Sequence, residues 1–183
     1  MKKFSVKTIV AIGIGAALFF VLGRFVAIPS PIPNTNISIQ YGLLAFISAI
    51  YGPIAGCLAG FIGHYFIDFS YGWGVWISWV IASAFFGAAM GIITSKMKLD
   101  EGEFALKEIL AFNAGQAISH VIAWIVVAPV LDILIYGEPA NKVFVQGAVS
   151  AVSNIVTTAI VGTLLCIAFS AAKPKKGSLS EEA

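Results

Sequence analysis

Residues 23–40, GRFVAIPSPIPNTNISIQ, separate the first apolar stretch of the chain from the second. Pro29, Pro31 and Pro33 each fix φ and lack a backbone donor, so we expect a stiff, extended loop rather than a helix. Neutral hydrogen-bonding side chains follow the prolines closely: Asn34, Thr35, Asn36, Ser38 and Gln40. The loop is therefore either a tight turn outside a membrane or a lid that grips a small polar ligand.

The composition is that of a membrane protein. Of the 183 residues, 59% are hydrophobic and 11% are charged, whereas soluble domains carry about 25% charged residues. The net charge of +2 gives no reason to expect nucleic acid as a partner. Cys57 and Cys166 lie in apolar surroundings and are predicted to be packing residues.

Six apolar segments follow one another along the chain, at residues 8–28, 37–51, 53–69, 75–94, 106–136 and 143–171. A helix needs roughly 20 residues to cross a bilayer, so the second and third are short. They either cross a thin region or form a buried hairpin. The sequence predicts an all-α integral membrane protein, with a compact bundle of six transmembrane helices in residues 1–172. A polar, disordered cytoplasmic tail is predicted at residues 173–183.

The positive charges predict the side on which the termini lie. Nine lysines precede the first segment, separate the fourth from the fifth or follow the sixth: Lys2, Lys3, Lys7, Lys96, Lys98, Lys107, Lys173, Lys175 and Lys176. Only Arg24 and Lys142 fall towards the other face. The positive-inside rule then places both termini in the cytoplasm and the proline loop outside.

Small residues recur at helical spacing in two segments. The first segment carries two small-xxx-small pairs: Ala11, Gly13, Gly15 and Ala17. They predict close packing against another helix, either of this chain or of another subunit. In the third segment, Gly52, Gly56 and Gly60 are followed at the same spacing by His64 and Asp68. The last two either lock the fold as an i,i+4 pair or contact a ligand.

The last three segments carry aromatic or polar side chains on single helical faces. These residues are Trp73, Trp76 and Trp79 in the fourth segment, Gln116, His120 and Trp124 in the fifth, and Gln146, Ser150, Ser153, Asn154 and Thr157 in the sixth. The tryptophans form either a belt at the lipid interface or a stacking wall for a flat ring. Together the faces predict a mostly apolar pocket with a few placed polar groups.

The common catalytic signatures are missing. The chain has no G-x-x-x-x-G-K-[ST], no H-E-x-x-H and no G-x-S-x-G, so ATP hydrolysis, metalloprotease and hydrolase chemistry by those routes are not expected. We predict no catalytic residue and no metal site. Two other classes stay open: an intramembrane enzyme that uses His64, Asp68 or His120 as acid or base, and a purely structural membrane subunit.

Several motifs together resemble a known family. They are VAIGIGAALF at 10–19, GRF at 23–25, PxPNTNIxIQ at 31–40, YGPIAG at 51–56 and GFIGHxxxD at 60–68. This set is similar to the substrate-binding S components of energy-coupling factor (ECF) vitamin transporters, nearest to a subgroup labelled riboflavin-type or uncharacterised S components. The resemblance covers residues 3–171.

The resemblance implies a substrate-binding subunit of an ATP-driven importer in a bacterial cell membrane, without a cofactor of its own. The implied partners are a transmembrane T subunit, which would dock on Ala11, Gly13, Gly15 and Ala17, and two ATPase subunits that use the ATP. It implies a ligand site near the outer loop and the last three helices. With the polar faces, the candidate contacts are Asn34, Asn36, Gln40, Trp76, Trp79, Gln116, His120, Trp124, Gln146, Ser150 and Asn154.

The side chains also restrict the substrate. Tryptophans fit a flat ring, and amides, hydroxyls and imidazole fit a neutral heteroaromatic compound with hydroxymethyl or amino groups. The predicted outer side has no arginine or lysine cluster for a phosphate, since Arg24 and Lys142 are its only cations. We therefore expect a small unphosphorylated vitamin or precursor, such as a hydroxymethylpyrimidine, pyridoxine or a thiamine-like compound. Riboflavin, which the family labels suggest, is the alternative.

Overall fold

The computed structural model describes residues 5–72 and 74–173, which fold into a bundle of helices. The helices are α1 (Val6–Val26), α2 (Gln40–Tyr51), α3 (Pro53–Tyr71), α4 (Ile77–Lys96), α5 (Leu106–Tyr136) and α6 (Ala140–Ala171). Each predicted apolar segment corresponds to one helix, with boundaries that differ by a few residues. The predicted all-α class is confirmed. Some residues named in the sequence analysis lie outside the described residues: Lys2, Lys3, Trp73, Lys175, Lys176 and the rest of the tail beyond residue 173.

Four helices of the described chain are long and apolar enough to cross a membrane: α1, α4, α5 and α6. Helix α2 has only 12 residues, and it joins α3 at Gly52, whose φ of +89° is the left-handed conformation that glycine tolerates. Pro53 then occupies the first turn of α3, where its missing N–H costs no helical hydrogen bond. The number of crossings and the side of the termini stay predictions.

Helices α3 and α4 are in backbone contact through glycines. A Cβ on Gly60 would lie 2.7 Å from the Ser83 carbonyl oxygen, and one on Gly56 would lie 2.5 Å from the Gly87 carbonyl oxygen. The contact is reciprocal, because a Cβ on Gly87 would overlap the backbone of Gly56. Small residues let helices approach this closely, and packing rather than hydrophobicity drives association in lipid. The predicted glycine stripe of α3 is thus an internal packing surface.

The small residues of α1 do not form one surface. Gly15 is buried, and a Cβ there would lie 2.8 Å from Ile47 Cδ1. Gly13 has no atom within 4 Å of a Cβ position, and Ala17 is exposed. Residues two apart on a helix point about 200° apart, so the pair of Ala11 and Gly15 faces α2 and α3 while the pair of Gly13 and Ala17 faces outward.

The proline loop folds back on itself instead of crossing as an extended segment. Its two short strands, β1 (Ile28–Pro29) and β2 (Asn36–Ile37), pair antiparallel. The Ser30 N–H donates to the Thr35 carbonyl oxygen at 3.1 Å, and the Thr35 hydroxyl donates to the Ile32 carbonyl oxygen at 2.7 Å. These bonds close the turn, which the prolines keep out of a helix as predicted. We call residues 28–37 the hairpin.

Helix α5 widens into a π-helical stretch at Ile122–Val127, just before Pro129. Pro129 has no N–H to donate to the carbonyl oxygen of Ile125, four residues earlier, and its ring crowds that turn of the helix. Gly147 of α6 lies against the Trp124 carbonyl so closely that a Cβ would overlap it. The wider turn and the glycine together bring α6 against the part of α5 that carries Trp124.

We predict that Gly87→Ala destabilises the protein, because the new Cβ would overlap the backbone of Gly56. Overpacking lowers the free energy of unfolding by roughly 1–3 kcal/mol. The higher helix propensity of alanine raises it by about 1 kcal/mol, which offsets only part of that loss. The melting temperature in detergent should fall by up to about 8 °C. Gly13→Ala is the matched control, since it has the same propensity gain and open space around the Cβ. Equal melting temperatures for the two variants would contradict a backbone contact between α3 and α4.

Candidate ligand-binding site

A cavity of about 240 Å³ lies next to the hairpin, at the end of the bundle where α3 ends and α4 begins. Its lining residues are Asn34, His64, Asp68, Trp76, Trp79, Asp132, Glu138, Lys142 and Gln146. A smaller cavity of about 90 Å³ adjoins it and shares Asn34, His64, Asp68 and Trp79 with it. We call the two together the hairpin cavity. It combines aromatic rings, amides and ionisable groups drawn from the hairpin and from helices α2 to α6.

Nine of the eleven candidate contacts line the hairpin cavity. The larger part includes Asn34, Trp76, Trp79 and Gln146, and the smaller part includes Asn36, Gln40, Trp124, Ser150 and Asn154. Gln116 and His120 line neither part. Residues distant in sequence are thus brought together, and their contact with a ligand stays a prediction.

His120 lies behind the cavity wall, where it orients Trp124. The imidazole is fully buried, and its Nδ1 accepts a hydrogen bond from Trp124 Nε1 at 3.0 Å. An indole N–H can only donate, so the neutral imidazole carries its proton on Nε2, 3.0 Å from the Thr158 hydroxyl. Gln116 is also buried and donates to the Ile155 carbonyl oxygen at 3.3 Å, which connects α5 to α6. In this structure both residues support the wall rather than face the cavity.

The aromatic wall of the cavity is held by stacking. Trp79 stacks on Trp124 with ring centroids 5.5 Å apart and an interplanar angle of 27°. Trp76 packs on Tyr136 at 4.6 Å, and the Tyr136 hydroxyl accepts the Ile77 N–H at 3.0 Å. The rings that reach the cavity are therefore fixed in position, which lowers the entropic cost of binding a flat ligand.

Asp132 of α5 was missed in the sequence analysis. Its side chain is 1% exposed and lines the larger part of the cavity. Trp79 Nε1 donates to Oδ2 at 2.6 Å, and the Ser78 hydroxyl donates to Oδ1. A signal was available, because an acidic residue within a 31-residue apolar helix is costly in a membrane and marks a functional site by default.

At the rim of the cavity, Glu138 and Lys142 form an ion pair. The Lys142 ammonium lies 2.7 Å from Glu138 Oε2, one helical turn away. It also lies 6.0 Å from the centre of the Trp76 ring, within the range of a weak cation–π contact. The one lysine of the lining is thus already paired with a carboxylate.

His64 and Asp68 lock two helices and also line the cavity. His64 Nε2 lies 3.5 Å from Asp68 Oδ1, and Asp68 Oδ2 accepts the Trp76 N–H at 3.0 Å. His64 Nδ1 lies 2.5 Å from the Ser83 hydroxyl, which is 2.8 Å from the Tyr41 hydroxyl. The sequence left open a choice between a lock and a ligand contact, and the geometry permits both roles.

Asp68, His64 and Ser83 are connected in the order of the acid, base and nucleophile of a hydrolase triad. The sequence did not predict a nucleophile next to His64. Ser83 is fully buried and does not line either part of the cavity. Its hydroxyl contacts both His64 and Tyr41, so no substrate carbonyl can reach it in this arrangement. Within residues 5–72 and 74–173, no group of three or more His, Cys, Asp or Glu side chains is placed to hold a metal ion.

Among the described residues, one hydrogen bond from inside the cavity attaches the hairpin to α6. Gln146 Nε2 donates to the Pro33 carbonyl oxygen at 2.9 Å. At its other end, the Ser38 hydroxyl donates to Gln40 Oε1 at 2.7 Å, and both of these residues are buried. A single neutral hydrogen bond contributes about 1 kcal/mol. The tip of the hairpin is therefore weakly held, as a lid over a binding site would need to be.

Known proteins are similar to this chain in sequence or in fold. The family model for the ECF-type riboflavin transporter S component matches residues 3–171. The UPF0397 proteins of Staphylococcus aureus strains MRSA252 and MSSA476 are each 53% identical over 184 residues, with 100% of both chains covered. The crystal structure of the S component for biotin from an ECF-type ABC transporter superposes with a TM-score of 0.57. That match covers 90% of this chain and 93% of that chain at 17% identity, and it shows the fold alone.

Proposed function

Because this chain belongs to the family of ECF-type riboflavin transporter S components, we propose that its hairpin cavity captures a small unphosphorylated heteroaromatic vitamin or precursor. Members of the family are substrate-binding components of membrane transporters and not enzymes. The observation that carries the proposal is the cavity itself, which is lined by tryptophans, amides and carboxylates beneath a weakly held hairpin.

The size and charge of the cavity support a small ligand without phosphate. Its larger part, about 240 Å³, is below the roughly 300–1,000 Å³ of sites for drug-sized molecules. Lys142 is the only lysine or arginine among the lining residues, and it is paired with Glu138. A hydroxymethylpyrimidine, pyridoxine or a thiamine-like compound satisfies both conditions.

Riboflavin is the second candidate. The description of the family model names it, and the smaller part of the cavity adds about 90 Å³ next to the stacked pair of Trp79 and Trp124. A larger ring system would use both parts of the cavity at once. Its polyhydroxylated chain would find Asn34, Asn36 and Ser150 among the lining residues.

In the proposed topology, all six helices cross a bacterial cell membrane and both termini are cytoplasmic. The lysine distribution supports this sidedness. The chain would work with a transmembrane T subunit and two ATPase subunits, which use the ATP, and would need no cofactor of its own. Gly13 and Ala17 are the small residues of α1 that remain available to a partner helix.

The substrate proposal predicts a specific gain in stability. The purified chain in detergent should melt at a higher temperature with thiamine, pyridoxine, a hydroxymethylpyrimidine or riboflavin, because a ligand that binds only the folded state stabilises it. Trp76→Ala removes a lining ring and should weaken binding of the active compound about tenfold or more. Phe66→Ala, which removes an exposed ring of α3, is the matched control. If no compound changes the melting temperature, the proposal is wrong.

The partner proposal predicts that Gly13→Leu prevents assembly. A Cβ at Gly13 would have no atom of the described chain within 4 Å, so folding and ligand binding should be unchanged, while close approach of a partner helix is blocked. Co-purification with the T subunit should fall at least about tenfold. Val152→Leu, which adds bulk to an exposed site on α6, should leave the complex intact. Survival of the complex in Gly13→Leu would show that α1 does not dock through this face.

A further inference from the structure

Asp132 is a buried carboxylate in the wall of the hairpin cavity. Its side chain is 1% exposed, within a helix long and apolar enough to span a membrane. Ser78 and Trp79, both on α4, donate hydrogen bonds to opposite oxygens of the carboxylate. Because each oxygen is held by its own donor, the group cannot rotate, and it presents a fixed charge to the cavity.

Asp132 has no net counter-charge in the cavity wall. Glu138 and Lys142 both lie within electrostatic range of Asp132, but they pair with each other at 2.7 Å and carry opposite charges, so together they supply no net positive charge. Asp132 forms no ion pair with any residue in the described parts of the chain. Its partners are a hydroxyl and an indole, which are both neutral. A buried charge without a counter-charge is strongly unfavourable, and a charged ligand can supply the missing partner.

We infer that Asp132 is the specificity-determining residue of the hairpin cavity and selects a heteroaromatic ligand whose ring carries a positive charge. The inference rests on the proposed function and refines its substrate class. Trp76 and Trp79 line the same cavity, and the face of an indole ring attracts a cation. A fixed carboxylate beside aromatic faces therefore favours a charged, thiamine-like compound over a neutral hydroxymethylpyrimidine or riboflavin.

The test compares charged and neutral probes on the full-length chain. Thiamine carries a permanent positive charge on its thiazolium ring, while riboflavin and a hydroxymethylpyrimidine serve as neutral probes at pH 8. Binding is measured by titration calorimetry in lipid nanodiscs. The wild-type chain should bind thiamine more tightly than either neutral probe. Asp132→Asn should weaken thiamine binding about tenfold or more and change the affinity for neutral probes much less. Asp132→Glu, which keeps the charge, should retain the preference for thiamine.

Ser78→Ala separates the charge of Asp132 from its structural role. This variant removes one hydrogen bond to the carboxylate and leaves the charge in place. If Asp132 only connected α5 to α4, Ser78→Ala and Asp132→Asn would lower the melting temperature of the ligand-free protein alike and weaken all probes alike. That result would overturn the inference.

The wild-type comparison keeps the inference testable if Asp132→Asn does not fold. Equal or tighter binding of a neutral probe by the wild-type chain would overturn the inference and leave the proposed function intact. If the chain binds none of the three probes and does not bind pyridoxine either, both the inference and the proposed function are overturned. A preference for thiamine that is lost in Asp132→Asn and kept in Asp132→Glu would support the inference.

Discussion

The backbone contact between α3 and α4 fixes how these two helices align. Gly56 and Gly87 leave no room for a Cβ between the two helices. This contact sets the antiparallel register, so that His64 and Asp68 on α3 meet Ser83 and the Trp76 N–H on α4. Any side chain at the glycines would push the helices apart and pull these partners out of reach.

The register of α4 in turn builds the cavity wall. Trp79 donates to Asp132 and stacks on Trp124, and His120 holds Trp124 from behind. In a membrane, polar groups without partners are costly, so such a connected network stabilises one arrangement of the helices. The rings and charges of the candidate site are therefore held in position without a ligand. The hairpin contributes Asn34 and Asn36 to the same cavity and is joined to α6 through Gln146.

The helices could be predicted from the sequence because long apolar segments leave the backbone few alternatives in lipid. The hairpin could not, because its turn depends on the Thr35 hydroxyl and its position on Gln146, 113 residues from its partner. The spacing of His120 and Trp124 correctly places them on one helical face. It cannot show that His120 accepts a hydrogen bond from Trp124 instead of facing the cavity. Asp132 could have been found, since a carboxylate deep in an apolar segment is itself a signal.

If the proposed function is correct, this chain alone holds a small heteroaromatic compound in the hairpin cavity. Denaturing mass spectrometry of the small molecules released from the purified chain, without partner subunits, would detect that compound. We expect one unphosphorylated heteroaromatic compound near one molecule per chain, and its loss from protein that carries Trp76→Ala. An empty wild-type chain, from cells supplied with the vitamins, or an equal amount of the compound in Trp76→Ala, would contradict the proposed function.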